Sequence, residues 1–147
     1  MNLSAHFTLA EFAASNEAAR RGILNDPPAE LLPTLRRTAL GMETVRIRLG
    51  GMPVIISSGY RSLELNRAIG SKDTSQHIKG QAVDFICPRY GNPANIVAAL
   101  KDSDVPYDQL ILEFARNGGG WVHVSFADSA RRQAFALDER GVQPLFS

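Results

Sequence analysis

The chain has 147 residues, enough to bury one continuous core without disulfide or metal staples, so a single domain over 1–147 is expected. Hydrophobic residues at 44%, charged residues at 21% and no apolar run near the roughly 20 residues of a bilayer span fit a soluble globular domain without a membrane-crossing helix. The net charge of +1, scattered over pairs such as Arg20-Arg21, Arg36-Arg37 and Arg131-Arg132, offers no basic face for nucleic acid, and the lone Cys87 excludes a disulfide framework or a multi-thiolate metal site.

The first predicted element is a helix from Leu9 to Arg20, with Thr8 and Glu11 forming a capping box, a basic end and Gly22 as its stop. Asn25-Asp26-Pro27-Pro28 is a turn. Leu31, Leu35, Thr38, Met42, Val45 and Leu49 then recur every three or four residues and predict a long amphipathic helix ended by Gly50-Gly51.

Beyond residue 53 the pattern changes to short β-branched runs. Val54 to Ser57 reads as a strand, Ser58 to Ser62 as a loop opening a brief helix through Asn66, and Gly70 to Gly80 as a polar loop. Ala82 to Ile86 is a second strand, Asn92-Pro93 starts a helix to about Lys101, and Gln109 to Phe114 and Trp121 to Phe126 form a hairpin around a glycine-rich loop. Arg132 to Leu137 reads as a final edge strand. Helices first and a mostly antiparallel sheet afterwards give an α+β class.

The stretch that carries chemistry is Ser75-Gln76-His77-Ile78-Lys79-Gly80-Gln81-Ala82-Val83-Asp84-Phe85, with Trp121-Val122-His123-Val124-Ser125 downstream. A catalytic zinc uses three nitrogen or carboxylate ligands and leaves a fourth position open, a requirement met by His77, Asp84 and His123. Strand alternation puts Val83 and Phe85 on the core face and Asp84 on the other, and leaves His123 opposite Val122 and Val124. The loop before Gly80 can fold His77 over the same face. His6, near the terminus, reads as structural or solvated, and Cys87 as a buried, inert thiol.

Ser75-x-His77-x-x-Gly80-x-Ala82-x-Asp84 with Trp121-x-His123 resembles the metal signature of the M15 peptidases, which include D-Ala-D-Ala carboxypeptidases and phage L-alanyl-D-glutamate endopeptidases. Leu3-Ser4-x-x-Phe7-Thr8-x-x-Glu11-Phe12 and Ser57-Ser58-Gly59-Tyr60-Arg61-Ser62 with Asn66 extend the resemblance to the short, single-domain branch common in phages and prophages. It implies N-terminal helices on a small sheet, a hedgehog-like fold, and one Zn2+ held by His77, Asp84 and His123. It also implies a peptidoglycan stem peptide as substrate and Arg61 as an anchor for a substrate carboxylate or carbonyl. On the residues alone, Arg61 could instead be a structural ion pair, and Ser75 could contact substrate or cap its loop.

Many such relatives carry a catalytic Glu three residues before the last histidine ligand, where this chain has Gly120. Glu113 then becomes the expected general base, provided the hairpin register puts it on the face of His123; Asp108 and Asp128 are the fallback carboxylates. The alternative reading is a zinc-stabilised binding or phage structural module without catalysis. No secretory signal is visible in residues 1–22, so a monomer made in the cytoplasm and reaching the cell wall by release or virion delivery is expected.

Overall fold

The computed structural model describes residues 1–145. The expected first helix is two: α1 (Leu9–Ala13) and α2 (Asn16–Arg21). Ala14 and Ser15 are extended between them, and Ser15 caps the second helix by accepting from the Ala18 N–H, a local bond that competes with helix continuation. The expected capping box at Thr8 and Glu11 is present.

A 3₁₀ turn (Ala29–Leu31) leads into α3 (Leu32–Arg48), whose buried stripe is Leu35, Thr38, Ala39, Met42 and Val45. β1 (Ile55–Ser58), α4 (Leu63–Ala68), β2 (Ala82–Ile86), α5 (Pro93–Lys101), β3 (Gln109–Glu113) and β4 (Trp121–Ser125) follow. The last two strands are β5 (Gln133–Asp138) and β6 (Gly141–Gln143). The strand expected over Val54 to Ser57 is shifted by one residue, so that Ser58 belongs to β1 rather than to the loop after it.

The sheet order is β1-β2-β4-β3-β5-β6, antiparallel throughout except where β5 runs parallel to β3. The strand expected to be the final edge is interior, because β6 turns back at Glu139 and Arg140 and covers it. The class is α+β, with helices N-terminal to a mostly antiparallel sheet. Val83, Phe85, Leu110, Leu112, Val122 and Val124 bury one face of the sheet together with α3 and α5. Among the described residues no helix is long and apolar enough to cross a membrane.

The opposite face holds the polar constellation. Asn25 binds the N-terminal segment to it, since its amide donates to the carbonyls of Ala13 and Tyr60 and its oxygen accepts from the Ser62 N–H. Those contacts fix both ends of the backbone around Arg61.

Candidate metal centre

β2 and β4 are neighbours, and their register sets Asp84 directly opposite His123. Alternation then aims both side chains away from the valines that fill the core face. His77 reaches the same place from a tight turn. The Ser75 hydroxyl accepts from the His77 N–H at 3.2 Å, and the N–H groups of Arg61 and Gly80 donate to the His77 carbonyl. Thr38 of α3 ties the turn down by donating to the Gly80 carbonyl at 2.6 Å. All three side chains are buried, and each offers a ligand atom within 4.8 Å of the other two.

The tautomer of His77 follows from its neighbours. Its Nδ1 lies 2.6 Å from the Gly59 carbonyl, which can only accept, so Nδ1 carries the proton and Nε2 presents a lone pair. That Nε2 is 3.2 Å from Asp84 Oδ1, and His123 Nδ1 is 2.9 Å from the same oxygen. Burial pushes the His77 imidazole down toward its neutral form, against the pull of Asp84. Burial alone would raise the Asp84 carboxyl, but the two imidazoles hold it well below the usual carboxylate range. Neutral imidazole facing ionised carboxylate sets acceptor against acceptor unless a proton or a cation stands between them. A divalent metal satisfies this donor set, whose N, N, O composition suits zinc, and the carbonyl behind His77 supplies the outer contact that metal-ligating histidines usually have.

Glu113 shares this face. β3 pairs with β4 so that Ile111 stands opposite His123 and Glu113 opposite Trp121, two residue pairs toward the hairpin end and so on the same face. The register that the loop composition left open therefore puts Glu113 on the face of Asp84 and His123 rather than in the core. Burial raises its carboxyl above the ordinary value, and the charge of Asp84 raises it further, while His123, the Trp121 indole and Arg61 pull the other way. Gly120 explains why a carboxylate is absent from the position three before His123. Its φ is +79°, and a Cβ there would lie 2.1 Å from the Glu113 carbonyl oxygen and 2.5 Å from that of Phe114. Any side chain would break the hairpin.

Arg61 is at the site and is heavily engaged. Nη2 is 3.3 Å from Asp84 Oδ2, Nε donates to the Ser58 hydroxyl and Nη1 to the Asn66 side-chain oxygen Oδ1. The structural ion pair and the site contact are thus one arrangement, because its partner is a prospective metal ligand. Ser75 braces the His77 turn.

The fallback carboxylates lie elsewhere. Asp108 is buried but accepts from the backbone, Nε and Nη2 of Arg131 and from the Gln76 amide. Asp128 is exposed near Arg37. His6 pairs with Glu43 at 2.7 Å on the surface, and Cys87 is buried with its thiol pushed up by burial. Sequence reasoning missed two supporting groups, the Gly59 carbonyl and the Trp121 indole. A backbone carbonyl has no signature in the residue string, and the indole's partner depended on the unresolved register.

The family model described as Peptidase M15 matches residues 5–125, which span every element from α1 through β4 and all the site residues above. No curated protein matches the chain in a sequence comparison. With four-fifths of its length matched, and with the His77, Asp84 and His123 group assembled in space, this chain belongs to the M15 family of peptidases.

Proposed function

We propose that the protein is a zinc peptidase that hydrolyses amide bonds in peptidoglycan stem peptides, either removing a terminal D-Ala or cutting an internal bond of the L-Ala-D-Glu type. The observation that carries this reading is the placement of Glu113, a half-buried carboxylate with a raised pKa, on the same sheet face as the convergent His77, Asp84 and His123. When bound, zinc supplies Lewis acidity to the scissile carbonyl and lowers the pKa of an attacking water toward about 7.

The chain's own residues do the rest. Glu113 accepts the proton of the attacking water and delivers it to the leaving amine nitrogen, a task suited to a carboxylate whose pKa has moved toward neutrality. Gly59 holds His77 in the tautomer that offers Nε2. Arg61 orients Asp84, and its remaining N–H groups, with the Ser75 hydroxyl, are the donors for substrate carbonyls or a carboxylate.

Digestion of purified peptidoglycan, followed by mass spectrometry of the fragments, tests the proposal. New stem-peptide ends that require zinc and disappear in Glu113→Gln support it, and the mass of the released piece separates carboxypeptidase from endopeptidase. A zinc-loaded protein inert on every peptidoglycan would overturn it in favour of a binding module.

A further inference from the structure

We infer that Trp121 is the positioning residue for Glu113, holding one carboxylate oxygen so that the other faces the metal ligands; this rests on Glu113 being the general base proposed above. The two residues are a direct cross-strand pair, and the indole Nε1–H donates to Glu113 Oε2. An indole has one donor and no acceptor, so it can engage only a lone pair of the carboxylate, and Oε1 remains for proton transfer. Glutamate otherwise carries several rotatable bonds, and a base that samples many rotamers spends little time where the water proton is.

The indole is itself held. Phe114 packs against it with ring centroids 5.4 Å apart and planes inclined by 31°. Phe114 adopts φ 51°, a left-handed conformation that is costly for a bulky side chain, and its N–H donates to the Leu137 carbonyl of β5 at 2.9 Å. Gly120, immediately before Trp121, leaves room for the Phe114 backbone that this conformation requires. A strained Phe, a stacked Trp and an obligatory Gly thus converge on the orientation of one carboxylate. Trp121 lies two residues from His123 along β4, so the same strand carries a ligand and the base's support.

The test is Trp121→Phe, which removes the N–H and keeps a ring against Phe114, assayed on a stem-peptide substrate with zinc content and circular dichroism alongside. The kcat should fall by about tenfold, on the order of one hydrogen bond to a charged group, with KM changed by less than about twofold and zinc retained. In a Glu113→Gln background the same substitution should change kcat by less than about twofold, since the base it serves is gone. Trp121 is the sole tryptophan, so its emission reports this ring alone, and Glu113→Ala should shift the emission maximum while the fold is kept. Wild-type kcat in Trp121→Phe, an effect confined to KM, an equal further fall in the Glu113→Gln background, or unchanged emission in Glu113→Ala would each overturn the inference. Near-wild-type turnover of Glu113→Gln would overturn the general base itself and this inference with it. An inactive Glu113→Gln beside an unaffected Trp121→Phe would overturn this inference alone.

Discussion

The backbone of Gly59 packs on that of Phe12 so tightly that a Cβ on Gly59 would stand 2.5 Å from the Phe12 carbonyl oxygen, while the Tyr60 N–H donates to that same oxygen at 2.7 Å. Because the Gly59 carbonyl also accepts the His77 proton, helix α1 is mechanically joined to the metal site. Gly59→Ala should therefore destabilise the fold by about 1–3 kcal/mol, the cost of overpacking, and weaken zinc binding at the same time. Thermal melts of the metal-free protein and a zinc titration check the two effects; loss of stability with unchanged affinity would show that Gly59 serves packing only.

Removing His77, Asp84 or His123 by alanine should abolish stoichiometric zinc, and full occupancy in His123→Ala would refute the ligand set. Protons compete for the same nitrogens, so affinity should decline as pH falls below about 6. Burial lowers the His77 pKa in the folded state, which means the unfolded chain binds more protons below its imidazole value of about 6.5. Stability of the metal-free protein should then fall with pH from that point downward, and His77→Gln should flatten this limb of the stability curve.

Arg61→Ala should lower both activity and zinc affinity, the latter by about 10-fold to 100-fold, because the guanidinium braces the carboxylate of Asp84 in the candidate metal group. Arg61→Lys should recover only part of either, since an ammonium cannot serve Ser58, Asn66 and Asp84 together from one plane. Competition with a chromophoric chelator gives the affinity, and kinetics at saturating zinc give the activity. Activity lost at unchanged affinity would make Arg61 a substrate contact alone.

Asp108→Ala should destabilise the protein by about 1–3 kcal/mol through the stranded Gln76 amide, without lowering kcat per zinc-loaded molecule. Hydrogen bonds from Arg131 hold the Asp108 carboxyl well below the usual range. Its contribution is present above the unfolded value near 4 and is lost as pH falls through the folded one, so the substitution should blunt acid denaturation. Urea melts from pH 7 to pH 3 measure this, and a large kcat defect at full zinc occupancy would restore Asp108 as a rival for the base.

What the sequence made legible was governed by local rules. β2 and α5 fall where alternation and the Asn92-Pro93 cap put them, and the facing of Asp84 and His123 followed from strand periodicity once the strands became neighbours. The break at Ala14-Ser15 was hidden because Thr8 and Ser15 are both competent caps and the residues between them suit a helix. β6 was missed because three residues carry no usable period. The fate of Asp108 depended on Arg131, 23 residues away, and the face of Glu113 on a register that no local pattern encodes.

The outer edge of β3 is covered by β5, itself flanked by β6, and both strands lie beyond residue 125, where the family match stops. A chain cut after β4 would leave the whole outer ladder of β3, including the backbone of Glu113, open to a strand from another molecule. As built, the sheet ends at β6, three residues long, and at β1, four residues long with a register shift between Ile56 and Ser58. Neither margin offers a long flat template. The C-terminal strands thus act as a guard against edge-to-edge aggregation, and their removal should show first as loss of solubility, before any change at the metal ligands.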